Sequence, residues 1–427
     1  MVLKWFVLGL VVVMYAVVII FPQKKAYASL TAAVLAIALG AVTPWVAVSE
    51  LVNWSVLMIY VGSLAIAELF IYSKVPARIA DNIVNVSPNV GISMVVILVI
   101  TGVISAFVEN VATVLVMAPI ALSLCKKIDI KPTYFMTGLA VMANLQGTAT
   151  LVGDPPSMIF ASYANIGFND FIFYHGKPSI FFVIQVGMLA GAIYFYFVFA
   201  KDGKGKITVE KEPVISILPT ILLILMILGL AACSFILNSG VTITAGLLVL
   251  GLGIAGILWY AFVRKESGKK VFALVKGLDW ETILFLIGIF IVIGALAETG
   301  LLNDFATVLG HFIGGNVLLG FVVILTVSVI ISGFVDNVPY IIAMLPVTDA
   351  LATQLGINPE LYMFALLVGS CLGGNLTPFG ASANIVAVGI LKKEGSPLSF
   401  SGWLKIGAPF TAITTIASAI FLWFVWH

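Results

Sequence analysis

The sequence predicts an all-α membrane protein of two inverted-topology repeats. It has about ten transmembrane helices, two further two-armed apolar segments and two discontinuous helices. Three observations lead there. Hydrophobic residues make up 62% of the 427 and charged residues 9%, against roughly 25% charged in a soluble domain; mean hydropathy is +1.19. Apolar runs of about 20 residues, the length a bilayer-spanning helix needs, recur along the whole chain. Finally, residues 103–119 (VISAFVENVATVLVMAP) return as residues 330–346 (IISGFVDNVPYIIAMLP), 227 positions on and without a gap. The register persists downstream, setting Pro132 on Pro359, Met136 on Met363, Gly147 on Gly374, Thr150 on Thr377 and Gly153 on Gly380.

Each half divides in the same order. Spans at about 3–22, 29–48 and 54–72 are answered by 213–237, 240–263 and 280–298. The first begins with a single Lys and lacks a small-residue cleavage site, so it reads as a span and not a removed signal. A two-armed segment with an acid in its middle follows (91–125, then 315–352), then a stretch broken by Gly and Pro (133–165, then 360–391). A last span closes each half (178–200, then 403–426). Five crossings, plus a segment that leaves on the side it entered, send the second half in from the opposite side. The repeats are 1–200 and 213–427. The arms are short for full spans and long for a hairpin.

Charge sets the orientation. Loops at 23–28, 73–90, 126–132, 201–212, 264–279 and 392–405 fall on one side and carry 19 of the 21 Lys and Arg residues, Lys25, Lys201, Lys204 and Lys206 among them. Lys4 and Lys177 remain for the other side. The rich side is then cytoplasmic and both termini lie outside an inner, multi-pass cell membrane.

Chemistry concentrates where helices must break. Residues 143–157 (ANLQGTATLVGDPPS) and 373–384 (GGNLTPFGASAN) are too rich in Gly, Thr, Asn and Pro for a continuous helix. Unwound backbone at bilayer depth has to be buried in protein or line a wet cavity. The side chains on offer are Asn144, Thr148, Thr150, Asn375, Thr377, Ser382 and Asn384, suited to a small oxygen-rich solute. Glu109-Asn110 and Asp336-Asn337 sit in the two-armed segments. These acids, with Asp154 in Gly-Asp-Pro-Pro, are either turn or helix caps or ion- and proton-binding groups, the default for an ionisable side chain inside a membrane. Glu68 and Glu298, near span ends, are expected to face an interface. Cys125, Cys233 and Cys371 suggest neither a disulfide framework nor a metal set.

The runs VENVATVLVMAP, GTATLVGDPPSMI, FVDNVP and CLGGNLTPFGASAN together resemble the ion transporter superfamily, in the branch of arsenite permeases, the melanosomal P protein and citrate transporter-like proteins. The resemblance covers nearly the whole chain. It implies a homodimer working as an elevator: a scaffold of about 1–72 and 213–298 stays fixed while a transport part of about 91–200 and 315–427 slides. It also implies that the two-armed segments are re-entrant hairpins. Dicarboxylate relatives carry Ser-Asn-Thr at their tips, where this chain has Glu109-Asn110-Val111 and Asp336-Asn337-Val338. An acid at both tips argues against a multiply charged anion, and no Arg lies in a broken stretch to clamp a carboxylate.

The expected activity is secondary transport of a small inorganic or organic solute coupled to protons or sodium, with no other cofactor. Proton-coupled efflux of arsenite or antimonite is the first expectation, with Cys371 as an added thiol contact. A sodium/proton antiporter and a cation-coupled citrate or carboxylate transporter are the alternatives. An enzyme is disfavoured: there is no H-E-x-x-H and no phosphate-binding loop, and His175, His311 and His427 are isolated. The expected partners are membrane lipid and a second copy of the chain. A net charge of +2 gives no footprint for nucleic acid.

The charge split predicts which loops an impermeant thiol reagent reaches. Cysteines replacing Ile207 and Gly268 should be shielded in intact cells, and those replacing Ser239 and Ile357 should be labelled. Labelling of position 207 from outside would overturn both the orientation and the inversion argument.

Overall fold

The computed structural model describes residues 2–200, 205, 208–237 and 240–427. Lys201, Lys204 and Lys206 of the basic loop, and positions 207 and 239, lie outside the described residues. Helices account for nearly all regular structure; a two-residue hairpin, Phe173–Tyr174 against Lys177–Pro178, is the exception. Among the described residues nine helices are long and apolar enough to cross a membrane. In hydrocarbon a helix satisfies its own N–H and C=O groups, which is why apolar sequence of this length takes that form. The chain is a multi-pass membrane protein.

One expected span is shorter than its apolar run. The segment read as 29–48 forms the helix Lys25–Ala38, which has 14 residues. At 1.5 Å per residue that is about 21 Å, short of the roughly 30 Å core. Gly40 turns the chain at a φ of +74°, and Pro44 restarts it with Thr43 as its cap. A π-helical turn, Ala47–Leu51, then leads to Trp54–Tyr72. The helix also begins earlier than expected, at Lys25, a residue that the sequence places in a solvated loop.

Helices pair across the two halves. Trp54–Tyr72 packs on Ile243–Leu258, and Lys25–Ala38 packs on Trp280–Glu298. Both contacts are made by glycine, at positions 226 apart. A Cβ on Gly62 would stand 2.4 Å from the Val249 carbonyl oxygen, and one on Gly288 would stand 2.5 Å from the Ser29 carbonyl carbon. Missing side chains let backbones touch, the usual way membrane helices gain dispersion energy without a hydrophobic drive. The two-armed segments are Val90–Ser105 with Asn110–Lys127, and Val317–Ser332 with Asn337–Leu355. Their first arms lie on the broken helices, Val90–Ser105 on Thr133–Gly147 and Val317–Ser332 on Glu360–Gly373. The last spans of the halves, Ile180–Phe199 and Phe400–Trp426, pack on each other.

The close approach at Gly288 gives a stability test. Gly288→Val should lower the melting temperature of the detergent-solubilised protein by several degrees, since overpacking costs about 1–3 kcal/mol. Gly251→Val, with open space around it, should leave the melting temperature within a degree or so.

Candidate functional site between the two helix breaks

The site is built from two equivalent clasps. Residues 148–154 interrupt the helices Thr133–Gly147 and Pro155–Tyr163, and residues 374–381 interrupt Glu360–Gly373 and Ser382–Lys393. Each break reaches to the turn of the neighbouring two-armed segment. Thr150 donates its hydroxyl to the Ala106 carbonyl, and Thr377 donates to the Gly333 carbonyl at 2.5 Å. Glycine makes both approaches possible. A Cβ on Gly153 would meet the Gly147 and Ala106 carbonyls at 2.4 and 2.9 Å, and one on Gly380 would meet those of Gly374 and Gly333 at 2.6 and 2.9 Å. Every partner in one clasp lies 227 residues from its counterpart in the other. The clasps supply the hydrogen bonds that unwound backbone cannot find in lipid.

The acids open the arms that follow. Glu109 is the N-cap of Asn110–Lys127 and accepts from the Ala112 amide at 2.9 Å. Asp336 caps Asn337–Leu355, its Oδ1 accepting from the Val338 amide at 3.1 Å. Its Oδ2 takes the Lys25 ammonium at 3.3 Å. Asp154 occupies the N-cap position of Pro155–Tyr163 without making a side-chain capping bond. Its carboxylate instead faces the side-chain amides of both Asn110 and Asn337. Asn110 is held for this, because its Oδ1 already accepts from the Ser105 hydroxyl at 2.7 Å. Asp154 has no counterpart in the second repeat, where Ala381 stands 227 residues on.

Behind the acids an amide network joins the two breaks. Asn144 donates both Nδ2 hydrogens, to Asn375 Oδ1 at 2.9 Å and to Asn384 Oδ1 at 2.8 Å. Asn384 in turn donates to the Gly374 and Thr377 carbonyls, each at 2.8 Å. Asn144 also lines the cavity.

That cavity measures about 40 Å³, room for a very few waters or one small ion. Its walls carry Glu109, Asp154, Asp279 and Asp336 against a single cation, Lys25, together with Asn110, Asn144, Asn337, Ser382 and Tyr60. A second cavity of about 340 Å³ adjoins it and shares Lys25, Glu109, Asp279, Thr282 and Ser382. Glu68, half-buried, and Glu281 add to its acidity. Gly277 and Leu278, at the end of the basic 264–279 loop, form part of its wall.

Of the residues singled out from sequence, Glu109, Asn110, Asn144, Asp154, Asp336, Asn337 and Ser382 line the small cavity. Thr148, Thr150, Asn375, Thr377 and Asn384 lie behind it, Thr148 bonding back to the Asn144 carbonyl at 3.5 Å. Cys371 is buried and lines neither cavity; its sulfur neighbours the Ser370 hydroxyl at 4.0 Å. Four polar lining residues lie outside the sequence-predicted set: Lys25, Tyr60, Asp279 and Thr282. The sequence places Lys25 in a solvated basic loop. Asp279 was placed in a loop, and caps Trp280–Glu298 through the Thr282 amide at 3.0 Å. Tyr60 was read as part of a plain span, and donates to Asp279 at 3.1 Å. Asp279 had a faint signal: it lies 226 residues beyond Asn53, which caps Trp54–Tyr72 in the same way. Lys25 had none.

Helices broken against each other around a buried polar cavity define a membrane transporter. The citrate transporter family (CitMHS) matches residues 15–369, and the chain belongs to that family. It is 32% identical over 388 residues to an uncharacterized transporter of Mycobacterium tuberculosis, covering 87% of this chain and 86% of that one. It is 30% identical over 426 residues to the 46 kDa membrane protein of Mycobacterium leprae, with 96% of each covered. The human P protein is 24% identical over 409 residues, covering 77% of this chain and 48% of the P protein. Among solved structures the fold is similar to the YdaH transporter of Alcanivorax borkumensis, with a TM-score of 0.61, 15% identity and coverage of 91% of this chain and 87% of that one. It is also similar to MtrF of Neisseria gonorrhoeae, with a TM-score of 0.54, 14% identity and coverage of 91% and 83%.

The clasp is testable apart from transport. Thr377→Val leaves the Gly333 carbonyl without its buried donor and should destabilise the protein by about 1–3 kcal/mol, read as a lowered melting temperature. Thr377→Ser keeps the donor and should retain most of the stability. Equal stability of the valine variant would show that the clasp contributes nothing.

Proposed function

We propose that the chain is a proton-coupled secondary transporter whose carboxylates Glu109, Asp154 and Asp336 exchange the coupling ion. The observation that carries this is the charge of the cavity: four carboxylates face one ammonium, with no Arg in the wall. Partly buried carboxylates in a polar wall are groups that can take up and release protons. Each tip acid spends one oxygen on capping an arm, and the other oxygen of Asp336 already meets Lys25.

For cargo, an uncharged oxyacid of trivalent arsenic or antimony, exported against protons, agrees with a small acidic cavity lined by amides and a hydroxyl. Buried Cys371 lends that reading no support. The second reading comes from the family. Citrate would fit four carboxylates only when accompanied by enough cations to neutralise it, and the adjoining 340 Å³ space has the volume for such a complex. The remaining elements of the proposal are inverted repeats, re-entrant hairpins, a homodimer and an elevator movement of 91–200 and 315–427 against 1–72 and 213–298. The repeat register supports the division, being 226 at the scaffold glycines and 227 throughout the clasps. Gly277 and Leu278 in the wall of the larger cavity support an opening toward the basic, cytoplasmic side.

Glu109→Gln and Asp336→Asn isolate the ion-binding role, because the amide oxygens still accept the capping N–H bonds. Both variants should be expressed and folded, yet lose gradient-driven transport in reconstituted vesicles. Arsenite, sodium and citrate with and without divalent cations, tested in parallel under imposed proton and sodium gradients, identify the cargo. Transport that survives in both variants would reduce the acids to turn caps.

A further inference from the structure

Lys25 is the only basic residue on the wall of either internal cavity among the described residues. Its ammonium lies 3.3 Å from Asp336 Oδ2 and 5.6 Å from the centre of the Phe285 ring. Its side chain is 13% exposed and that of Asp336 28%. The other charges facing it are Asp279 and Glu281. Asp279, Glu281 and Phe285 all belong to Trp280–Glu298 or its cap, the helix on which Lys25–Ala38 packs. These contacts stay within one packed pair. Only the bond to Asp336 leaves that pair and reaches the turn between the arms Val317–Ser332 and Asn337–Leu355.

The geometry at Asp336 makes this bond competitive. Oδ1 is committed to the Val338 amide, so Oδ2 is the oxygen that can meet a cation, and Lys25 already meets it. We propose that Lys25 is a tethered counter-cation: it neutralises Asp336 in the empty site, and a coupling cation must displace it to bind. This rests on the reading that Asp336 takes up the coupling ion. Pairing and ion binding are then mutually exclusive, and the apparent affinity for the ion is lowered by the fraction of sites that Lys25 occupies. The pair also ties the Lys25–Ala38 and Trp280–Glu298 unit to the Asp336 turn, so cation entry would free one from the other. Lysine suits this use, being a compact charge on a flexible stem that can swing away without losing its seat on an aromatic face.

The full chain, reconstituted in proteoliposomes, is tested by charge displacement on a solid-supported membrane after proton and sodium concentration jumps. Lys25→Met should lower the half-saturating activity of the coupling ion about two- to fivefold, the range for an ion pair that is not fully buried. Lys25→Arg should leave it no lower than wild type. On an Asp336→Asn background, Lys25→Met should produce no further shift. Removing a merely structural lysine would weaken or abolish the response and would not lower its half-saturation. Gel filtration checks that each variant is monodisperse, and Lys25→Gln replaces Lys25→Met if the latter aggregates. A wild-type response with unchanged or weaker half-saturation in folded Lys25→Met would overturn this inference alone. Absence of any wild-type response to either ion would remove the coupling-ion reading and this inference with it.

Discussion

Backbone that leaves the helix inside a membrane has no water to turn to, and each orphaned N–H or C=O costs several kcal/mol. The architecture around the cavity follows from meeting that cost twice. Thr150 and Thr377 return a hydroxyl to the turn carbonyls of Ala106 and Gly333, and Gly153 and Gly380 let the strands of unwound chain lie against those carbonyls. Asn384 closes the Gly374 and Thr377 carbonyls from the other side. With the breaks fixed in this way, the turns of both two-armed segments are brought to one place, and the acids at their ends are brought with them.

What gathers there is an imbalance of charge. Glu109 and Asp336 each have one oxygen committed to a backbone amide, which fixes the carboxylates without neutralising them. Asp154 stands where the two copies differ and faces an asparagine from each. Two equivalent turns presenting amides to one unpaired acid give the cavity a near-symmetric wall and an asymmetric charge. An excess of carboxylates in a dry space is unfavourable unless cations offset it. The protein supplies one such cation, Lys25, and the proposed exchange of a coupling ion at these acids rests on that imbalance.

The helices that bear Lys25, Tyr60 and Asp279 pack chiefly in two pairs, Lys25–Ala38 with Trp280–Glu298 and Trp54–Tyr72 with Ile243–Leu258. They hold together through glycine contacts at Gly62 and Gly288, a backbone-to-backbone fit that resists change. Their contribution to the cavity is made at its edge, through side chains and not through backbone. Under the proposed elevator movement, the bond between Lys25 and Asp336 is a contact that crosses the moving boundary.

Much of this was legible in the chain itself. The spans, the repeat, the two breaks and the acid-asparagine turns are local matters: apolar length, Gly and Pro content and a constant spacing decide them. The threonines and glycines of the clasps were visible as repeated positions, although whether they faced cargo or backbone was not. Three things depended on the tertiary structure. Lys25 looks like one of many cytoplasmic lysines until its helix packs on Trp280–Glu298 and its head meets Asp336. Asp279 and Tyr60 looked like a loop residue and a span residue until Trp54–Tyr72 and Trp280–Glu298 carried them to a common wall. Asn144 was a polar residue near a break until Asn375 and Asn384, more than 200 positions away, took both its amide hydrogens. Residue type and spacing report what a segment does with its own backbone, and which distant side chains share a cavity is settled only when helices pack.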